Sequence, residues 1–278
     1  MQDRPINFGW VRDALDPRDR VFSAPLAKLQ ALPPSVDLVA EVPDLFPEVY
    51  DQGRIGSCTG NAIAGAVQFE RRKQNKQNPD PAFQDFVPSR LFIYYYERLK
   101  EKTVPLDAGA QIRDGMKTIA QLGVCPEADW PYDDTPADNE THLFPPGAKD
   151  AMLPNINANK AAKGVTAISY WRINQSLSQL KGCLADGYPF VFGFNIYDTI
   201  YDEDGQPKTT FPLPSTADRQ LGGHAVLAVG YDDGTQCFKL RNSWGPNVQA
   251  NGYFFMPYAY LTDANQSSDF WTLRGMSK

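Results

Sequence analysis

The chain has 278 residues, of which 42% are hydrophobic, 12% aromatic and 22% charged, a globular composition that sets aside disorder, collagen and coiled coil as global descriptions. A net charge of -6 gives no overall reason to bind nucleic acid, and no apolar run approaches the roughly 18 residues of a membrane span. Four cysteines are too few for a disulfide-built scaffold of this length, and a chain this long buries a core without such staples.

Residues 1–34 mix charge with proline and end in Leu32-Pro33-Pro34, which reads as a loop-rich arm. Its first ten residues are polar and lack the apolar stretch of a signal peptide. Two placements are open for the arm: a strap packed on the surface, or a segment lying over a functional cleft. From Cys58 to about Arg72 the apolar positions Ala62, Ile63, Ala66, Val67 and Phe69 recur at helical spacing, and Gly60, Ala64 and Gly65 permit close packing on several sides. This predicts a buried helix. The basic residues at its end, Arg71, Arg72, Lys73 and Lys76, read as a solvated face favoured by the helix dipole. A second helix follows Pro88 and Ser89 and carries Leu91, Tyr94, Tyr95 and Leu99. A third runs from about Gln111 to Leu122.

Pro131 to about Val165 holds several prolines and asparagines and reads as an irregular surface loop, with His142 an incidental member. A fourth helix spans Gln175–Ala185. The period then changes to that of strands. Phe190–Tyr197 is β-branched and aromatic, residues 224–230 form a patterned strand, and Asp233-Gly234 signals a hairpin into Cys237–Leu240. Gly252–Met256 and Phe270–Leu273 complete a β-rich half. Asp202-Glu203-Asp204-Gly205 reads as a turn, because a calcium loop would need a later bidentate glutamate. Helices first and strands later predict an α+β fold with two subdomains.

Three short segments carry chemistry. In Gln52-Gly53-Arg54-Ile55-Gly56-Ser57-Cys58-Thr59 a cysteine opens a small-residue helix, where unpaired N–H groups and the helix dipole favour a thiolate. In Gly222-Gly223-His224-Ala225 a histidine sits on a patterned strand, where its ring needs a polar partner. In Arg241-Asn242-Ser243-Trp244-Gly245 an asparagine ends the neighbouring strand, and its carbonyl can accept from an imidazole and fix the ring. A Cys–His pair oriented by a third group is the general logic of an activated nucleophile.

These motifs, in this order, resemble those of the papain-like cysteine peptidases, and within them a divergent bacterial branch, over roughly residue 32 to the C-terminus. The resemblance implies a helical left domain and a β-barrel right domain with the cleft between them: a catalytic domain at 35–278, mainly helical over about 48–165 and mainly β over about 166–278. It implies Cys58 as nucleophile, His224 as its proton partner, Asn242 as orienter and Gln52 as oxyanion donor beside the Cys58 amide. Trp244 would shield the His–Asn contact, Gly109 would lie where an extended substrate pairs, and Ala225 would contribute to a side-chain pocket. A protein or peptide substrate is implied, with a peptide-like or proteinaceous inhibitor as another occupant. No cofactor, metal, nucleic acid or membrane partner is implied, and a monomer is expected.

Departures from the family pattern are Thr59 in place of an aromatic, Ile55 where many members carry a disulfide cysteine, and Asn247-Val248-Gln249 in place of a second Trp-Gly. His224 also lies further beyond the nucleophile than the roughly 130–150 residues of papain and the cathepsins, an excess assigned to loops. A Cys–His acyltransferase of transglutaminase or deamidase type, and a silent papain-like binding module, are the alternatives that use the same residues.

Overall fold

Why one helix can be buried almost all round is plain from its composition. In the computed structural model, which describes residues 8–80 and 83–277, Cys58–Gln77 is helical and every residue from Cys58 to Arg71 is buried. Its run of Gly, Ala and Asn leaves room for neighbours on several sides, so it packs at once on helices and on the sheet. The helices in chain order are α1 (Leu26–Gln30), α2 (Leu38–Glu41), α3 (Cys58–Gln77), α4 (Arg90–Glu101), α5 (Ile112–Gln121), α6 (Ile156–Ala162), α7 (Leu177–Ala185) and α8 (Tyr258–Thr262). Ser89 caps α4 by accepting from the Phe92 amide.

The strands are β1 (Val21–Phe22), β2 (Ser35–Asp37), β3 (Tyr170–Ile173), β4 (Phe190–Tyr197), β5 (Gln220–Asp232), β6 (Cys237–Arg241), β7 (Tyr253–Pro257) and β8 (Ser267–Leu273). They form one mixed sheet in the order β1-β3-β8-β4-β5-β6-β7, with β2 added along β5. The pairs are antiparallel except β1 with β3. This sheet is open: β1 and β7 lie at its two ends, so the expected barrel is corrected to an open mixed sheet. The α+β reading and the helix-then-strand order hold.

The buried apolar residues form two clusters. One joins the sheet to α3 and α7 through Phe190, Phe192, Phe194, Leu227, Leu240 and Ile63. The other lies around α4 and holds Ile55, Phe92, Tyr94, Cys125 and Trp130.

The expectations differ from the structure at three places. The loop at 131–165 contains α6, whose Asn155 cap accepts from the Ala158 amide. Its alanine- and asparagine-rich composition hides the short apolar stripe. The arm contains α1 and contributes β1 to the sheet. The basic face on α3 is only partly solvated: Lys76 is exposed, and the other three are not. Arg71 is buried against the Phe83 and Phe86 rings, Arg72 pairs with Asp85 at 2.7 Å, and Lys73 donates to the Gly187 carbonyl over the Tyr188 ring. The long methylene stems allow these side chains to cover apolar surface while their charged ends find partners. The acidic loop at 202–205 is a turn, closed by Asp202 accepting from the Asp204 and Gln206 amides.

Candidate active site

Cys58 is the first residue of α3, and the preceding Ser57 makes no side-chain cap to the helix. The first-turn amides are therefore available to the sulfur, and backbone hydrogen bonds from Ala225, Gly9 and Thr59 favour its anion. Burial outweighs them and pushes the thiol up to about 12. The Ala225 contact puts the sulfur beside the residue that follows His224, so a helix N-terminus and the middle of β5 meet at this point.

His224 pairs with Phe194 across β4 and β5. Its Nε2 lies 2.8 Å from Asn242 Oδ1, on the residue that follows β6. Asn242 Oδ1 only accepts, so Nε2 carries the proton and Nδ1 is left with its lone pair in the neutral ring. The Asn242 oxygen also takes the Ser243 amide, which fixes the orienting group itself. Aromatic rings enclose the imidazole: Trp244 at 5.1 Å between centroids, with Phe194 and Phe8 edge-on. Burial lowers the His224 pKa to about 4 against the raising effect of Asn242. Burial thus disfavours charge on both the thiol and the imidazole.

Gln52 is fully buried. Its Oε1 accepts from Ser243 Oγ at 2.7 Å, its Nε2 donates to the Ile55 carbonyl at 3.0 Å, and its backbone amide donates to the Ser243 carbonyl. The segment after Asn242 thus locks the residue six positions before Cys58. The turn between them is braced by Asp107, whose two carboxylate oxygens each accept from the Gly56 amide at 2.9 Å.

The arm passes between Ala110 and Gly223. Phe8–Asp13 belongs to no strand, but Trp10 forms an isolated parallel bridge with Ala110. The Trp10 amide donates to the Gly223 carbonyl, the Val11 amide to the Ala110 carbonyl, and the Ala110 amide to the Gly9 carbonyl. Gly9 crosses directly over the Gly56 carbonyl and against Gly109, whose own backbone is left-handed with φ +71°. The Trp10 indole fills a slot against Gly193 and Gly223 and donates to Asp269 Oδ2 at 3.2 Å. Asp13 follows it inward. Its Oδ1 accepts from the Arg113 amide, its Oδ2 accepts from Trp271 Nε1 at 2.9 Å, Arg172 lies 3.4 Å away, and its own amide donates to Asp269. Burial and the neighbouring Asp269 charge raise the Asp13 pKa to about 7.

Residues 32–267 match the papain family cysteine protease domain. The chain belongs to the papain family of cysteine proteases. It is 46% identical to xylellain, a cysteine protease from Xylella fastidiosa, with a TM-score of 0.88 over 99% of this chain and 98% of that one. It is 34% identical to an uncharacterized peptidase C1-like protein of Acanthamoeba polyphaga mimivirus, covering 96% of this chain and 86% of the relative. A cathepsin B-like protein of Giardia intestinalis, CP3, is 27% identical over 80% of this chain and 68% of its own length. The protein is accordingly a peptidase of the thiol protease class.

Two of the departures from the papain-family pattern, Thr59 and Ile55, have local explanations. Thr59, in place of an aromatic, donates through Oγ1 to the buried Glu97 carboxyl at 2.7 Å and ties α3 to α4. Ile55 is fully buried in the α4 cluster with Cys125, so apolar packing stands where other members have a disulfide, and all four cysteines are free. Cys58 contacts Ala225, His224 contacts Asn242 and Trp244, Gln52 is tied to Ser243, and Gly109 lies against Gly9. His142 sits apart, on a turn where its amide bonds to Asp138. Sequence reasoning missed Trp10, Asp13, Asp269 and Tyr132. Trp10 in a polar arm was the one legible sign, since an indole in such a segment calls for a slot.

Proposed function

We propose that the protein hydrolyses peptide bonds through a thioester formed on Cys58, with His224, Asn242 and Gln52 in the roles of proton carrier, orienter and oxyanion donor. What supports this reading is that the Cys58 sulfur, at the N-terminus of α3, takes a backbone hydrogen bond from Ala225, the residue after His224, whose Nε2 is held by Asn242. Once water and substrate replace the arm, burial weakens, and the thiol proton passes to His224 to give a thiolate–imidazolium pair. The thiolate attacks the peptide carbonyl. The oxyanion is received by the Gln52 amide and the Cys58 backbone N–H, donors of a kind worth roughly 3–4 kcal/mol each in a serine enzyme. His224 protonates the leaving amine and then deprotonates the water that cleaves the thioester. Substrate backbone takes the path of Phe8–Trp10, along Gly109 and Gly223, with Ala225 and Trp244 lining it.

A peptide ester mixed rapidly with the enzyme should leave an acyl mass increment on Cys58, mapped by mass spectrometry, and added amine should not divert the product from hydrolysis. Acylation at another residue would overturn the mechanism; transfer to the amine would favour the acyltransferase alternative.

Residues 1–34 act on this reading as an inhibitory arm; residues 1–7 lie outside the described part of it. The arm's own contact with the Cys58 sulfur is the Gly9 amide N–H, a donor and not an electrophile, so the docked arm blocks attack without being attacked. Docking also has a proton linkage. The thiol–imidazole pair of the closed site and the thiolate–imidazolium pair of the open one hold the same number of protons. Asp13 does not: its pKa is about 7 when docked and ordinary, roughly 3.9, when released. A raised docked pKa stabilises docking most at acid pH, and that contribution is lost as pH rises toward 7. Alkylation of Cys58 by iodoacetamide should therefore speed up with pH between about 4 and 7, by at most about tenfold per unit, and level off above. Asp13→Asn should flatten that slope; an unchanged slope would remove Asp13 from the linkage.

A further inference from the structure

The segment that sets Gln52 against Cys58 is held from behind by one phenol. Tyr132, in the loop after α5, donates its hydroxyl to the Gln52 carbonyl at 2.8 Å and lies 2.6 Å from Ser57 Oγ. A tyrosine has a single hydroxyl proton, and the Gln52 carbonyl can only accept. The Ser57 hydroxyl must then donate to Tyr132, while it accepts from Asn61 Nδ2 at 3.0 Å. The result is a one-directional chain from Asn61 through Ser57 and Tyr132 to Gln52, in which each bond polarises the next. It joins the residue before the nucleophile to the backbone of the oxyanion donor. Between those two points the chain makes a turn with a left-handed Gly53 at φ +63°.

The phenol itself is fixed. The Arg90 guanidinium lies 3.8 Å over its ring and forms two hydrogen bonds to Glu127, at 2.7 and 2.8 Å. The same guanidinium donates to the Asp51 carbonyl at 2.9 Å and to Asn61 Oδ1 at 3.2 Å, so it braces the residue before Gln52 as well. Burial keeps the phenol protonated far above its ordinary range.

We infer that Tyr132 is a positioning residue for the oxyanion site: its hydroxyl sets the separation between the Gln52 amide and the Cys58 backbone N–H. The inference rests on the oxyanion role of Gln52 given above. An oxyanion is stronger in its demands than the substrate carbonyl, because charge develops only in the transition state. Loss of the tie therefore acts on kcat and leaves KM nearly unchanged. Tyr132→Phe removes one oxygen and keeps the ring packed under Arg90, so the fold is retained.

The test is a double-mutant cycle on full-length chains, read by hydrolysis of a fluorogenic peptide. The Tyr132 bond is to the main chain of Gln52, so Gln52→Ala deletes the donor without deleting the tie. Gln52→Ala should lower kcat by about 100-fold. Tyr132→Phe should lower it by roughly tenfold, a fraction of the donor's worth, since a misplaced group loses part of its contribution. The double variant should be no slower than Gln52→Ala alone, because a tie has nothing to position once the donor is gone. Tyr132→Phe with unchanged kcat, or a double variant near 1000-fold down by simple additivity, would overturn the assignment while leaving Gln52 in place. Gln52→Ala with unchanged kcat would remove the oxyanion reading and this inference with it.

Discussion

Cys58→Ala and His224→Ala should each lower kcat/KM for a peptide substrate by at least about 10⁴-fold, equivalent to roughly 5.5 kcal/mol of lost transition-state stabilisation. The double variant should be little worse than either. In serine protease triads, loss of nucleophile or base alone costs about as much as loss of all three members, because the groups act as one device. The same coupling is expected here for a stated reason. In the closed site burial holds the Cys58 thiol near 12 and His224 near 4, so neither group ionises usefully by itself. On the proposed mechanism, each becomes reactive by exchanging a proton with the other. An alanine at 58 leaves an imidazole with nothing to activate, and an alanine at 224 leaves a thiol with no local base. Steady-state kinetics on the three variants checks this. A double variant slower than the singles by the product of their effects would mean that the two side chains work independently.

The parts of this site that could be read in the sequence are those whose chemistry is tied to local pattern. Cys58 was legible because a helix start follows from Gly56, Ser57 and the small residues behind it. His224 and Asn242 were legible because an Asp-Gly hairpin puts their strands side by side, and the structure has them on β5 and at the end of β6. Gln52 came through family resemblance and not through any local signal. Tyr132 was not legible: its partners lie 75 and 80 residues away, and its loop has no period. Asp13 and Asp269 meet from opposite ends of the chain, at a separation of 256 residues. No pattern in either segment points to the other. The closed barrel was over-read for a similar reason, since strand count and spacing do not say whether the first and last strands of a sheet meet.

Gly9→Ala should open the groove without shortening the chain. A methyl group at this position would stand 1.6 Å from the Gly56 carbonyl oxygen and 2.4 Å from its carbon, far inside contact distance. Main chain cannot yield there cheaply. The Gly56 amide is held by Asp107, and the residues on either side are tied through Gln52 and Ser57. On the opposite face Gly9 is pressed against Gly109, where a Cβ would meet the Gly9 carbonyl at 2.2 Å. The arm must therefore lift, while Trp10 and Asp13 still pull it back. Overpacking of this kind costs about 1–3 kcal/mol, which corresponds to a weakening of docking by roughly 5- to 150-fold. An arm that competes with substrate for the groove raises apparent KM and leaves kcat alone. Gly9→Ala should accordingly lower KM by about that factor at constant kcat, and speed iodoacetamide alkylation of Cys58 by the same factor. Deleting residues 1–34 is a poorer experiment, because it also strips β1 from the sheet and α1 from its packing on α7. A folded Gly9→Ala chain with the KM and thiol reactivity of its parent would show that the docked arm does not limit access to the groove.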